Sequence, residues 1–326
     1  MIISKTPMRI SFFGGGTDFP DYFKKRSGAV ISTSINKYCY VHLRDLPQYF
    51  EYNSEIIYSK IERVNKVTDI QHPLVREALK FKSVDHVHLA YDADLPARTG
   101  LATSSAFSVG LLNALNSHNG EFKSKRLLAD EAIYLERTLC QEIGGIQDQI
   151  ASSYGGLNYI SFGEEGYEVT PLMLGKERKK VLENSLMLFF TGVVRTSSDV
   201  QKAINFENIE TVRRLDKIRE ITSRARDIMV NPDIDISEFG ALLDETWQNK
   251  RNLSQKVSTD KIDSIYDKAI KAGAIGGKLL GAGSGGFLLF YVPEERQNAV
   301  RYALHDLAEV DFQFENQGST IIYSEQ

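Results

Sequence analysis

The chain has 326 residues, 42% of them hydrophobic and 25% charged. That balance excludes a disordered chain and a small disulfide scaffold, and at about 150 residues per domain it suggests two domains. Lys and Arg total 39 against 43 Asp and Glu, so a net charge of -4 offers no general attraction to nucleic acid or to an acidic membrane, and neither is expected as a partner. Cys39 and Cys140 lie far apart in no CxxC pair, which leaves no disulfide framework or cysteine zinc site and fits a reducing cytoplasm. The start, MIISKTPMRISFFGGG, has no apolar signal core, and the longest apolar runs fall far short of a membrane span. Six scattered histidines give no metal-ligand spacing.

Short β-branched or aromatic runs bounded by turn residues predict strands over Met8–Phe13, Ala29–Ile35, Tyr38–Leu43, Glu55–Tyr58 and Val87–Tyr91. The pattern SSAFSVGLLNALN predicts a helix over Ser104–Asn116, with Phe107, Leu111 and Leu115 on one stripe. A second helix is expected over Ser124–Ile143, where Leu128, Ala132, Leu135, Leu139 and Ile143 recur at helical spacing and Gly144-Gly145 would stop it. Strands near Gly156–Phe162 and Gly166–Pro171 precede the charged run Gly175–Glu183, which is either the meeting point of two domains or a solvated helix face. A strand at Leu186–Phe190 follows, then a long helix over Glu207–Met229 with Ile209, Val212, Leu215, Ile218 and Ile221 inward. Helices at Ser237–Leu253 and Thr259–Ala272, a strand at Phe287–Val292, a helix at Glu294–Ala308 and strands at Val310–Glu315 and Thr320–Tyr323 complete the chain. This segregated order predicts an α+β fold in both halves, with a first domain over residues 1–180 and a second over 181–326.

Three glycine clusters stand out: Gly14-Gly15-Gly16 after a strand, GLATSS from Gly100 to Ser105 before a helix, and GAGSGG from Gly281 to Gly286 before a strand. The last has GxGxxG spacing, but a strand follows it where a dinucleotide fold needs a helix. No Walker A loop is present, since Leu279 follows Gly277-Lys278. The middle cluster has the strongest chemistry. A small-residue loop running into a helix presents unpaired N–H groups and the positive end of the macrodipole, which attract phosphate. Thr103, Ser104 and Ser105 add hydroxyls. A capped helix needs only one of them, so the run is read as a phosphate site as well as a helix start. Glu136 borders the apolar stripe of its helix and is either a solvated glutamate or a cleft acid. Asp148, just past Gly144-Gly145 in IGGIQDQIASSYGG, is either a helix cap or a site acid. A hydroxyl, a carboxylate and nucleotide phosphates suit magnesium, and a second carboxylate would orient a substrate hydroxyl.

These clusters and acids together resemble the galactokinase, homoserine kinase, mevalonate kinase and phosphomevalonate kinase superfamily, the GHMP small-molecule kinases. RISFFGGGTDFPDYF at Arg9–Phe23 is similar to their first motif, LPARTGLATSSAFSVGLLNAL at Leu95–Leu115 to their second and KLLGAGSGGF at Lys278–Phe287 to their third. The middle motif departs from the usual GLGSS wording at Ala102 and Thr103. Within the superfamily, GGGTD, DLPARTGL and GGIQDQ are most similar to bacterial D-glycero-D-manno-heptose 7-phosphate kinases.

The resemblance implies a two-domain fold, with a ribosomal protein S5 domain 2-like N-terminal half, a ferredoxin-like C-terminal half and the active site between them. It implies ATP and Mg2+ as cofactors and a sugar phosphate as substrate, and it is silent on oligomeric state. By motif position, Ser104 and Glu136 would hold the metal, and Asp148 would orient or deprotonate the accepting hydroxyl. Gly100, Leu101, Ala102, Thr103, Ser104 and Ser105 would wrap the ATP phosphates, with Gly281 and Gly283 buttressing them. Arg9, Gly16, Thr17 and Asp18 would approach the sugar. A phosphate already on the substrate needs its own cation, for which Arg195 is the first candidate and Arg98 and Lys202 the next.

Overall fold

The computed structural model describes residues 1–193, 202–254 and 256–325. Thirteen strands form two sheets among these residues. In the larger, nine-stranded sheet, β1 (Ile2–Phe13) lies against β2 (Gly28–Asp45), which runs on through β5 (Val87–Ala93) to the parallel β3 (Ser54–Ile57) and the edge strand β4 (Ile61–Val64). β6 (Leu157–Gly163) pairs with the first half of β2 and with β7 (Gly166–Pro171). The smaller sheet has β8 (Leu186–Phe190) and β10 (Phe287–Tyr291) at its centre, with β9 (Gly276–Leu279) and β11 (Ala308–Glu309) outside.

The expected strands Ala29–Ile35 and Tyr38–Leu43 are one strand. Asn36 and Lys37 are extra residues opposite the Pro7–Met8 step of β1, a bulge absorbed within β2, and Asn36 exchanges hydrogen bonds with Gln313. Of the expected C-terminal strand Val310–Glu315 only β12 (Phe314–Glu315) is a strand, in the larger sheet; β11 lies just before that span and pairs in the smaller sheet. β12 and β13 (Thr320–Ser324) return to β2 and β1, so the chain end belongs to the first sheet although β8 opens the second near the expected boundary at 180.

The helices position the site. After α1 (Pro20–Arg26) and α2 (Pro73–Lys82), α3 (Thr103–His118) is buried on nearly every side, because it packs on β1, β2 and later helices as well as along the Phe107–Leu111–Leu115 stripe. The helix expected over Ser124–Ile143 is shorter: α4 (Lys125–Ile133) widens into a π-helical turn over Tyr134–Leu139, where the Cys140 N–H reaches back to the Leu135 carbonyl, and the chain then leaves the helix. Ile143 is consequently exposed. α5 (Gln147–Tyr154) follows. The charged run Gly175–Glu183 is α6 (Lys176–Asn184), which buries Leu182 and turns Arg178 onto the carbonyls of Ile228, Met229 and Ile234 while most of its other charges face solvent. The second lobe adds α7 (Ile209–Val230), capped by Asn208, then α8 (Glu238–Arg251), α9 (Asp260–Ala272) and the short α10 (Gln297–Ala303). An apolar core joins the lobes, with Phe239 of α8 edge-on to Phe12 and Phe13 of β1 at 5.2 and 5.0 Å.

Candidate active site

The second and third glycine clusters meet where the lobes join, and the first touches the second lobe through Gly16. Gly100 has φ +87° and packs so closely on the Leu280–Gly281 backbone that a Cβ would fall on the Leu280 carbonyl oxygen. The main chain continues the contact, since Phe287 N–H donates to the Thr99 carbonyl (3.2 Å) and a Cβ on Gly286 would fall on that same carbonyl. Gly283, at φ +133°, passes over Val257. The third cluster thus braces the second from the other lobe. Ala102 enters α3 in the left-handed region (φ +59°), and no side chain caps the helix. Its first-turn N–H groups are therefore left for an anion. Leu101 and Thr103 are buried, whereas Ser104 is exposed on that first turn.

Arg9, only 3% exposed, donates from Nε (2.9 Å) and Nη2 (2.6 Å) to Oδ1 of Asp148, and from Nη1 to the Gly100 carbonyl (2.8 Å). One guanidinium thus ties the phosphate-loop backbone to the first turn of α5. Both Arg9 bonds to Asp148 use Oδ1; Oδ2 has no protein donor among the described residues, and Asp148 is 29% exposed. Asp18 lies behind α5, accepting from Gly16 N (2.9 Å) and Gln147 N (3.2 Å). Burial first, and then the charge of Asp148, push its carboxyl above the usual range. Gly145 allows this approach, because a Cβ there would strike the Asp18 carboxylate. The glycines expected to end a helix instead admit a carboxylate.

Glu136 sits on the π-helical turn, which points it inward, and is 1% exposed. It accepts from Ser105 Oγ (3.2 Å), from Ser108 Oγ and from Gln149 Nε2 (2.6 Å), while Arg137 stands 3.7 Å away. Burial dominates and lifts its pKa to about 7, with Arg137 and Ser108 opposing. The hydroxyl bonded to it is Ser105, with Ser108 a turn further on; Ser104, expected beside it, makes no such bond because its side chain lies on the exposed side of α3. The Gln149 side-chain carbonyl is buried without a partner. Carboxylate, hydroxyls and an orphaned amide oxygen are hard-oxygen donors of the kind Mg2+ takes, with Arg137 beside them, and no cluster of three or more His, Cys, Asp or Glu placed to hold a metal lies among the described residues.

The expected sugar-facing residues divide. Gly16, at φ +103°, packs on Leu215 and Leu253 of the second lobe. Thr17 is fully buried and its hydroxyl lies 2.8 Å from the Gly14 carbonyl and 2.9 Å from that of Ala29, so it locks the turn rather than facing a sugar. Asp18 likewise spends its oxygens on backbone. Arg195 lies outside the described residues. Arg98 is exposed at φ +63°, and Lys202 joins Lys25 in an open groove of about 470 Å3 beside α1, lined also by Asp21, Phe206 and Glu207.

Two site residues have no signal in the sequence. Lys278 of β9 is 1% exposed and donates to the carbonyls of Ser11 (2.8 Å) and Phe12 (2.7 Å) at the end of β1. Lys250 of α8 is buried beside it and donates to Leu279 and Gly281. Lysines on predicted elements read as solvated, so only their burial reveals them.

Two lobes joined through glycine loops, with an uncapped helix start and an acid held by arginine, define a small-molecule kinase fold. The model for the GHMP kinases N-terminal domain matches residues 65–156 and that for the GHMP kinases C-terminal domain residues 230–309, together more than half the chain. The chain belongs to the GHMP kinases: it is a phosphotransferase that uses ATP to phosphorylate an alcohol. It is similar to D-glycero-alpha-D-manno-heptose 7-phosphate kinase of Campylobacter jejuni, at 28% identity over 97% of each chain. It is also similar to the bifunctional fucokinase/GDP-fucose pyrophosphorylase of Arabidopsis thaliana, at 25% identity over 95% of this chain and 32% of that one. The crystal structure of a D-glycero-D-manno-heptose 1-phosphate kinase from Bacteroides thetaiotaomicron superposes with a TM-score of 0.80, at 25% identity over 99% of this chain and 100% of that one.

Proposed function

We propose that this kinase phosphorylates the anomeric hydroxyl of D-glycero-D-manno-heptose 7-phosphate to give the 1,7-bisphosphate, in the cytoplasm, towards nucleotide-activated heptose. The observation that carries the reading is the Arg9 bridge, which holds the acceptor acid Asp148 and the phosphate-loop carbonyl of Gly100 on one side chain. The named relatives support the choice of sugar, and two free cysteines accord with the compartment.

In this reading the sugar hydroxyl lies against the free Oδ2 of Asp148, which takes its proton as the anomeric oxygen attacks the γ-phosphorus and ADP departs. Gly100, Leu101, Ala102, Thr103, Ser104 and Ser105 receive the phosphates on backbone N–H groups and hydroxyls, with Gly281 and Gly283 bracing them. Glu136, with Ser105 and Ser108, would hold Mg2+; Ser104, on the exposed first turn, is the further hydroxyl within reach of the nucleotide. When bound, the metal supplies charge neutralisation on the phosphates. Gly16 shapes the sugar side of the cleft and Asp18 holds α5 so that Asp148 stays in place. The groove lined by Lys25 and Lys202 is our candidate place for the 7-phosphate, while Arg195 remains the candidate from the sequence.

The test is a panel of sugars with ATP and Mg2+, scored by ADP release. Heptose 7-phosphate is expected to give the highest kcat/KM. Preference for fucose or galactose would replace the substrate, a second reading favoured by the likeness to fucokinase. Nucleotide binding without ADP release on any sugar would overturn catalysis itself.

A further inference from the structure

Lys250 stands in the last turn of α8, 7% exposed, and among the described residues no carboxylate pairs with it. Its ammonium donates to two carbonyl oxygens, Leu279 (3.4 Å) and Gly281. These flank the residue whose carbonyl abuts Gly100, and Gly281 is itself so close that a Cβ on it would fall on the Gly100 Cα. The Gly100 carbonyl accepts from Arg9 (2.8 Å), and Arg9 holds Asp148. The charged groups facing Lys250 are Arg9 of β1, Lys278 of β9, Asp18 of the loop after β1 and Asp148 of α5. Burial and then Arg9 lower its pKa to about 8 against the pull of the two acids.

A buried ammonium held only by carbonyls is a poor stabilising device, since replacing a buried charge with an apolar side chain of similar volume is often neutral or stabilising. Its contacts run instead to the phosphate loop. We propose that Lys250 is a positioning residue of the kinase centre: from the second lobe it fixes the Leu279–Gly281 turn against Gly100, and through Gly100 and Arg9 it fixes Asp148. The inference rests on the kinase reading above and adds a contribution of the C-terminal lobe to the acceptor acid.

The experiment compares wild type, Lys250→Met and Lys250→Arg with ATP, Mg2+ and the best sugar of the panel. Misplacing an acid by about 1 Å costs on the order of 10²-fold, so Lys250→Met should lower kcat by about 10- to 100-fold. The KM for ATP should stay within about threefold, because phosphate binding by the α3 backbone persists. Its melting temperature at pH 7 should equal or exceed that of wild type. The wild-type basic limb in kcat/KM, near pH 8, should move upward in Lys250→Arg, which keeps the charge.

Unchanged kcat in Lys250→Met, or a kcat loss matched by a fall in melting temperature, would overturn the proposal. If Lys250→Met does not fold, Lys250→Arg decides: a displaced basic limb supports the proposal, and a limb identical to wild type overturns it. A wild type that releases no ADP with any sugar overturns the kinase reading and this inference with it, whereas an active wild type with an indifferent Lys250 removes this inference alone.

Discussion

Glu136 and Asp148 are joined by one residue, Gln149, which follows Asp148 and bonds to Glu136, yet their environments are opposite. Glu136 is buried among hydroxyls and an amide with Arg137 3.7 Å away, and burial outweighs that arginine to lift its pKa to about 7. Asp148 is partly exposed and directly paired with Arg9 through one oxygen, leaving the other free. One carboxylate has its arginine 3.7 Å away with no hydrogen bond, and the other is hydrogen-bonded to its arginine at 2.6 and 2.9 Å. In the proposed reading the first serves the metal and nucleotide, and the second takes the proton of the acceptor.

The sharpest way to break this division is Asp148→Asn. Loss of a general base costs on the order of 10²- to 10⁴-fold, so turnover in a coupled ADP assay should fall by that range. Next, Glu136→Gln should reduce turnover by about 10²- to 10³-fold, the size of one lost electrostatic contact to the transition state, because the metal that neutralises the phosphates would lose its carboxylate ligand. Full activity in either variant would dissolve the contrast.

Glu136 also makes a pH prediction. Its folded pKa lies above that of the unfolded chain, so the folded protein binds more protons between about 4.5 and 7, and stability falls as pH rises through that window. Glu136→Gln removes the penalty. Without nucleotide, its melting temperature should exceed that of wild type at pH 8, with the gap closing towards pH 5. A constant gap would place the carboxyl outside this titration.

The smallest effect is conformational. Gly100→Ala would strain a φ of +87° and press on the Leu280 carbonyl, costing about 1–3 kcal/mol in denaturant unfolding and weakening the junction between the lobes. An Ala variant as stable as wild type would remove the glycine contact from the account.

The three motifs were legible because each is a local pattern: glycines where the backbone must turn or touch, followed by a recognisable helix or strand. β8 matches its expected bounds at Leu186–Phe190, since five consecutive apolar residues between polar ones admit little else. What escaped depends on distant partners. The bulge at Asn36-Lys37 is a property of β1 and Gln313, and the return of β12 and β13 to the first sheet is set by pairing across nearly the whole chain. The π-helical turn that aims Glu136 leaves the apolar spacing intact through Leu139, so periodicity extended the helix past its end. Which serine meets Glu136 is a question of helix face, and the run Thr103-Ser104-Ser105 cannot answer it. Lys250 and Lys278 were invisible because no local pattern marks a lysine as buried.

Calorimetric titration of Mg·ADP into Glu136→Gln and Asp148→Asn, beside wild type, tests the division of labour most directly. Binding should weaken at least about tenfold, the effect expected of a lost metal contact, in Glu136→Gln and remain near wild type in Asp148→Asn. Equal weakening in both variants, or an unaltered affinity in Glu136→Gln, would contradict it.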